Sequence, residues 1–374
     1  MNPAPASARA LALIATTAAY AAAQPLRAPK LDRPVASPAA LPYRGVDASL
    51  IPAMTDLGTP FFDQSGAQRD PLELLAERGV NLLRIRLLVN PPGDYDGIQQ
   101  AIPLARRARD LGMDIFINFH FADTWADPAE QPTPAGWEGQ PLDQLAATLR
   151  KYTRDAIATF HAQGVPATFA SLGNEVTDGF LWPTGRISTN GFAPFATLFN
   201  AAAQGVDEAL PPDRRPLVVL HLDRGGDPAG LNWFLDRADA AELDYDVLGL
   251  SFYTLWHGPI DGFRNTLAAA RARDDRPIFV VETAYPFTTD FDDQFQNVFG
   301  PTNTTDPCCP VTPEGQRTYL RVIKAELRDT PGTLGFVWWG PEWIATPGLG
   351  SPWENMTLFD FDARALPAIN EFGR

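Results

Sequence analysis

Cysteine is nearly absent from this 374-residue chain: there are two, and they are neighbours, Cys308 and Cys309. Adjacent cysteines cannot staple distant segments, so no disulfide framework holds the fold. A vicinal bond, an intermolecular bond and two free thiols all stay open. Positive charge is in deficit, with 30 Lys and Arg against 45 Asp and Glu, a net charge of −15. Such a chain repels phosphate backbones and anionic lipid, which argues against nucleic acid and membrane surfaces as partners and leaves a neutral polymer compatible. Beyond the N-terminus no run is apolar for long enough to span a bilayer. Histidine is scarce, four in all, and none shows a close spacing such as His-x-x-x-His, so a catalytic metal is not expected. The segment after Val46, Asp47-Ala-Ser-Leu-Ile-Pro, contains no Gly-rich phosphate loop, which argues against an open nucleotide-binding sheet.

What is present begins with an address. Arg9 is followed by an uncharged small-residue stretch, Ala10 to Ala23, that ends in Ala-rich cleavage-like sequence. Residues 1–23 therefore read as a signal peptide and 24–42, rich in Pro and Ala, as a linker. The expected product is a secreted monomer, periplasmic or extracellular, with residues 43–374 forming one domain.

From residue 43 a unit recurs: a short β-rich run, a polar or aromatic cluster, then a helical stretch. The runs are Tyr43 to Ala48, Leu82 to Val89, Asp114 to Phe119, Thr168 to Gly173, Leu217 to Leu222, Asp246 to Ser251, Ile278 to Glu282 and Leu334 to Trp339. Runs such as Leu-Val-Val-Leu are apolar at consecutive positions, as strands buried on both faces are. Eight strand–helix units in a chain of this length predict a closed (β/α)8 TIM barrel, an α/β fold in a single domain.

In such a barrel the C-terminal ends of the strands face the active site. Reading those ends collects Arg84 and Arg86; His120, Asp123, Trp125 and Asp127; Asn174 and Glu175; His221; Tyr253 and His257; Glu282; and Trp339 with Trp343. Glutamates end strands 4 and 7, and a carboxylate closing an apolar strand is costly unless paired or functional. Two carboxyls about 5 Å apart can share the double displacement of a retaining glycosidase, one giving a proton to the leaving oxygen and the other attacking the anomeric carbon. Arg86 and Tyr253 are the natural donors to the nucleophile, and Asn174 is placed to bond a sugar 2-hydroxyl. His120 and His221 are expected to support the pair. The blander readings are a helix-start glutamate at 175, structural pairing of Arg86 and barrel packing for any one Trp.

Longer motifs sharpen this. His120-Phe-Ala-Asp-Thr-Trp-Ala-Asp-Pro128, Gly45-Val-Asp47-Ala-Ser49, Gly173-Asn-Glu175 with Leu181-Trp-Pro183, Ser251-Phe-Tyr253 with Trp256-His-Gly258, Val281-Glu-Thr-Ala-Tyr-Pro286 and Trp353-Glu-Asn355 together resemble glycoside hydrolase family 53, the endo-β-1,4-galactanases. The resemblance runs from about residue 43 to the C-terminus. It implies endo-cleavage of β-1,4-galactan in type I arabinogalactan and pectin, with Glu175 as acid/base and Glu282 as nucleophile. It suggests Trp125, Asp127, Trp182, Trp339 and Trp343 as sugar-cleft residues, with Asp47, Asp123 and His257 from the same motifs. No cofactor is expected for catalysis. Some bacterial members hold a structural calcium after strand 7. Here Asp290, Asp292, Asp293 and Asn297 offer oxygens, though the alternating ligand pattern is broken. Asn118, Phe121, Leu88, Phe252, Thr254 and Gly340 depart from the family pattern near the cleft and bear on subsite preference. The competing readings are a xylanase, mannanase or arabinanase-like enzyme of the same clan, or a non-catalytic carbohydrate-binding barrel, which would be expected to lack one of the glutamates.

Overall fold

The computed structural model describes residues 41–93, 95–303 and 306–373. The predicted signal peptide and most of the linker lie outside these residues. Leu41, assigned above to the linker, is buried and its carbonyl accepts from Arg44 Nη1 at 2.8 Å, so the barrel packing begins there.

Eight parallel strands close into one barrel: β1 (Tyr43–Asp47), β2 (Leu82–Leu87), β3 (Asp114–Phe119), β4 (Phe169–Leu172), β5 (Leu217–Leu222), β6 (Val247–Ser251), β7 (Ile278–Thr283) and β8 (Thr333–Trp339). All eight predicted runs are strands, and helices separate them. Helices Leu142–Ala162 and Phe192–Ala209 pack their apolar stripes outside the sheet, and their contact needs Gly205, where a Cβ would meet the Arg150 carbonyl at 2.4 Å. The short hairpin Phe61–Phe62 with Gln68–Arg69 carries no long periodicity and was not legible from the pattern.

Within the barrel, alternation divides the side chains. Leu82, Phe116, Phe169, Val219, Phe279 and Val337 form an inner cluster, while residues of the other parity join the outer core beneath the helices. Tyr43, Phe169 and Phe279 close the lower end with ring centroids 5.0 to 5.9 Å apart. Strands β1 and β8 touch closely where Gly335 has φ +145° and a Cβ would lie 1.8 Å from the Tyr43 carbonyl oxygen. Gly335→Ala is therefore expected to cost about 2–4 kcal/mol, seen as a melting temperature lowered by several degrees.

One irregularity decides the chemistry. On one side Leu250 pairs with Val280 and Ser251 with Glu282; on the other Phe336 pairs with Val280 and Trp338 with Thr283. Strand β7 thus carries an extra residue at Val281–Glu282, a bulge. Regular alternation after Phe279 and Val281 would turn Glu282 outward. The bulge re-aims it into the mouth of the barrel.

Candidate active site

The mouth is built around a buried guanidinium. Arg84 on β2 is fully buried and donates to Asp47 Oδ2 at 2.6 Å, to Asn174 Oδ1 at 2.9 Å and to Glu282 Oε1 at 2.8 Å. Phe116 lies beneath it, 5.8 Å from the guanidinium carbon. Three strand ends, from β1, β4 and β7, converge on this one side chain. Tyr253, at the end of β6, donates its hydroxyl to the other oxygen of Glu282 at 2.9 Å.

Glu175 sits across the mouth, in a left-handed conformation with φ 51° that lifts it off the end of β4. An oxygen of Glu175, an oxygen of Glu282 and a ring nitrogen of His221 lie within 4.8 Å of one another. Glu175 is held from below by a relay. Its backbone N–H donates to His221 Nδ1 at 3.3 Å, His221 Nε2 meets Ser251 Oγ at 2.8 Å, and Ser251 hydrogen-bonds the Glu175 carboxylate. His221 accepts at Nδ1, so Nε2 carries the proton it gives to Ser251.

The surroundings of the two carboxyls differ. Burial, with Glu282 and Asp223 nearby, pushes Glu175 well above the usual carboxylate range, and only Ser251 and the more remote Arg84 pull it back. Burial also raises Glu282, but Arg84 in direct contact and the Tyr253 hydroxyl oppose the rise. Of the two, Glu175 therefore keeps a proton and Glu282 is the ionised partner. Burial drives His120 and His221 well below the ordinary histidine value, reinforced by the cationic Arg86 and Arg84 at His120 and by Arg84 at His221, so both are neutral at pH 7. Ser251→Ala removes the hydrogen bond that restrains Glu175. The basic limb of the kcat/KM profile is expected to move to higher pH, with activity lowered by roughly tenfold.

Several predicted residues take other posts. Arg86 does not reach Glu282. Its Nη2 bonds both Asp96 oxygens at 3.1 Å, and its guanidinium stacks 3.9 Å above Trp125. It lies one inward step nearer the rim than Arg84, too high on the strand for Glu282. Asp47, expected in the cleft, is buried against Arg84 and accepts the Ser49 hydroxyl at 2.6 Å. His257 turns Nδ1 to the Tyr253 N–H at 2.9 Å, and burial lowers it to about 4, so it holds the Tyr253 backbone. Trp343 is buried, its indole N–H donating to the Gly350 carbonyl. Asp127 is exposed and caps its own turn through Ala129 and Glu130. Asp123 accepts from Ala135 N with one oxygen and keeps the other buried without a partner.

Others stand where expected. Half-buried Trp125 and Trp339 meet edge to face at 5.8 Å beside the mouth. Trp182 is half-buried under Arg186 and donates to the Asp178 carbonyl. Asn174 gives Nδ2 to the Ala126 carbonyl at 2.8 Å, leaving its second N–H available. His120 accepts from Ala126 N at Nδ1 and meets Asn118 at Nε2, bracing the strand-3 loop.

The sequence reading missed Arg84 as the central cation, Ser251 in the relay, and Trp256. That tryptophan is 56% exposed, stacked on Trp353 and edge-on to Tyr253. Its position just past the strand-6 end was the available signal.

The cysteines form a vicinal disulfide, with the Cys309 carbonyl accepting the Tyr285 hydroxyl.

In the loop after β7, the side chains of Asp290, Asp293 and Asn297, which could offer oxygens to a calcium, have protein partners among the described residues. Among the described residues Asp290, Asp292 and Asp293 do not converge. Asp290 pairs with Thr288, and Asp293 accepts from Phe295 N and Ser351 N. Asn297 donates to Glu354 at 3.1 Å. Glu175, His221 and Glu282 are close enough to ligate an ion. Yet both histidine nitrogens are engaged and Arg84 already supplies the cation at Glu282, so the trio suits carboxylate chemistry better than metal binding.

Residues 43–372 match the sequence pattern of glycosyl hydrolase family 53. The chain belongs to this family. It is similar to the arabinogalactan endo-β-1,4-galactanase of Humicola insolens, 36% identical over 344 residues, covering 90% of this chain and all of that one. The enzyme of Thermothelomyces thermophilus bearing the same name is 34% identical, again over 90% of this chain and all of that one. Among solved structures, the family 53 catalytic domain of Ignisphaera aggregans superposes with a TM-score of 0.83 at 32% identity, covering 92% of this chain and 99% of that chain. As a family 53 member the protein is a glycoside hydrolase, and its barrel is shared with the solved family 53 domain. Xylanases at about 15% identity and TM-scores near 0.54 share the barrel alone.

Proposed function

We propose that this family 53 hydrolase cleaves β-1,4-galactosidic bonds within galactan chains of type I arabinogalactan and pectin, with retention of configuration. The observation that carries the mechanism is the approach of Glu175 and Glu282 to within 4.8 Å, in surroundings that leave one protonated and the other ionised. That spacing belongs to retaining glycosidases, since inversion needs room for a water between the carboxyls. Glu175 gives its proton to the glycosidic oxygen as the carbon–oxygen bond breaks, and Glu282 bonds to the anomeric carbon. Glu175 then takes a proton from water, whose oxygen displaces Glu282. Arg84 and Tyr253 hold the Glu282 carboxylate for attack, and the free N–H of Asn174 is placed for the 2-hydroxyl.

The substrate rests on the named relatives, which are arabinogalactan endo-β-1,4-galactanases at 34–36% identity. The stretch before residue 43 supports secretion, and no described helix is long and apolar enough to cross a membrane. A polysaccharide panel tests the assignment. Galactan is expected to be hydrolysed fastest, with the β-anomer as the first product by NMR. A preference for xylan, mannan or arabinan overturns the substrate, and initial α-anomer overturns the mechanism.

A further inference from the structure

A second cavity of about 400 Å³ opens beyond the catalytic pair, on the β4–β5 rim across the mouth from Glu282. One wall is the turn that follows Glu175. Thr177 N donates to the Glu175 carbonyl at 2.9 Å, and the Thr177 hydroxyl bonds Asp223. Beside it the Asp178 carboxylate is fixed by Arg186 Nε, Ser188 N and the Ser188 hydroxyl at 2.7 to 2.9 Å. The other wall is Arg224 after β5 and Trp233 in helix Pro228–Ala240.

Trp233 is 44% exposed and lines the cavity. It is not loose. The Arg237 guanidinium stacks 3.9 Å from its ring and donates to its carbonyl at 2.9 Å. Arg224 is partly exposed at the cavity, and its ion pair with Asp227 is long at 3.5 Å. A pinned aromatic face, a fixed carboxylate and the partly exposed Arg224 side chain suit a neutral, hydroxyl-rich ring. Asp178 is paired with Arg186 and Arg224 with Asp227, so neither leaves an unmatched charge that would call for an anion.

The position gives the direction. Glu175 protonates the departing oxygen, so the leaving part of the chain extends on its side of the mouth. The cluster of Trp125, Trp339 and Trp353 stands on the β3–β8 side instead. We infer that the Trp233 cavity is a subsite for a galactosyl unit on the leaving-group side, beyond the unit directly bonded to the cleaved oxygen. This rests on the galactanase reading above.

The test compares Trp233→Ala and Trp233→Phe with the parent on galactan oligomers carrying ¹⁸O at the reducing end, with cut positions read by mass spectrometry. Trp233→Ala should lower kcat/KM about tenfold for oligomers long enough to fill the cavity, the size expected for truncating an aromatic anchor. It should also shift cuts toward the reducing end, leave an aryl β-galactobioside unaffected, and be largely rescued by Trp233→Phe. Cut positions and rates unchanged in Trp233→Ala, with a parent that cleaves galactan, overturn the subsite alone. A parent that prefers another polysaccharide overturns the galactan reading, and the same comparison on oligomers of that polymer then decides the subsite.

Discussion

Glu282→Ala is expected to lower galactan hydrolysis by roughly 10⁴-fold or more, since removing the attacking group leaves only binding and electrostatics. Its side chain is 7% exposed and ends at Arg84 and Tyr253, so truncation leaves a small polar gap beneath the anomeric carbon. Azide can fill that gap. Given an activated aryl β-galactobioside, azide attacks the anomeric carbon, aryl oxide leaves, and the product is the α-glycosyl azide after one inversion. Glu175→Ala predicts the opposite outcome. Glu282 still forms the glycosyl enzyme, azide displaces it, and two inversions give the β-azide. Anomers exchanged between the two variants would reverse the roles assigned here, and undiminished turnover in either variant removes that residue from the reaction.

Arg84→Met should produce the second large effect, on stability and on pH dependence together. The substitution leaves Asp47 and Glu282 buried without their shared cation, 2.6 and 2.8 Å from where it stood. Breaking a buried pair from one side costs about 3–5 kcal/mol, so the melting temperature should fall markedly. The sign of the pH effect follows from charge. Loss of a cation favours the neutral form of Glu282, its pKa rises, and the acid limb of the rate profile moves to higher pH. Arg86→Met supplies the control. Arg86 serves Asp96 and Trp125, so its loss should leave the acid limb in place. If Arg86→Met moved the limb and Arg84→Met did not, the wiring of the mouth would be wrong.

The comparison of these two arginines shows where a sequence stops being readable. Leu82, Arg84 and Arg86 share one parity, so alternation sends both cations inward. How deep each sits against a residue five strands away depends on the stagger of the whole barrel, which no local pattern carries. The register that sets Asp47 opposite Arg84 appears only when the sheet closes. The eight strands themselves were legible because consecutive apolar residues bounded by polar ends leave few alternatives. Glu175 was legible because Gly-Asn-Glu ends a strand. Glu282 was found as a carboxylate closing an apolar strand, yet plain alternation would have turned it away from the mouth, and the added residue in β7 that corrects this leaves no mark in the letters. Asp47 and His257 were drawn to the right neighbourhood, where the structure gives them protein partners, Arg84 and the Tyr253 backbone. A polar residue near a reacting group can touch substrate or hold a neighbour that does, and the two look alike until partners are visible.

The aromatic plug of Tyr43, Phe169 and Phe279 has a bearing on timing as well as on packing. It shuts the barrel at its base, so protons reach Glu175 from one direction only. The water that frees the sugar from Glu282, and whose proton passes to Glu175, enters by the same mouth that the polysaccharide covers, so the departing part of the chain must clear it first.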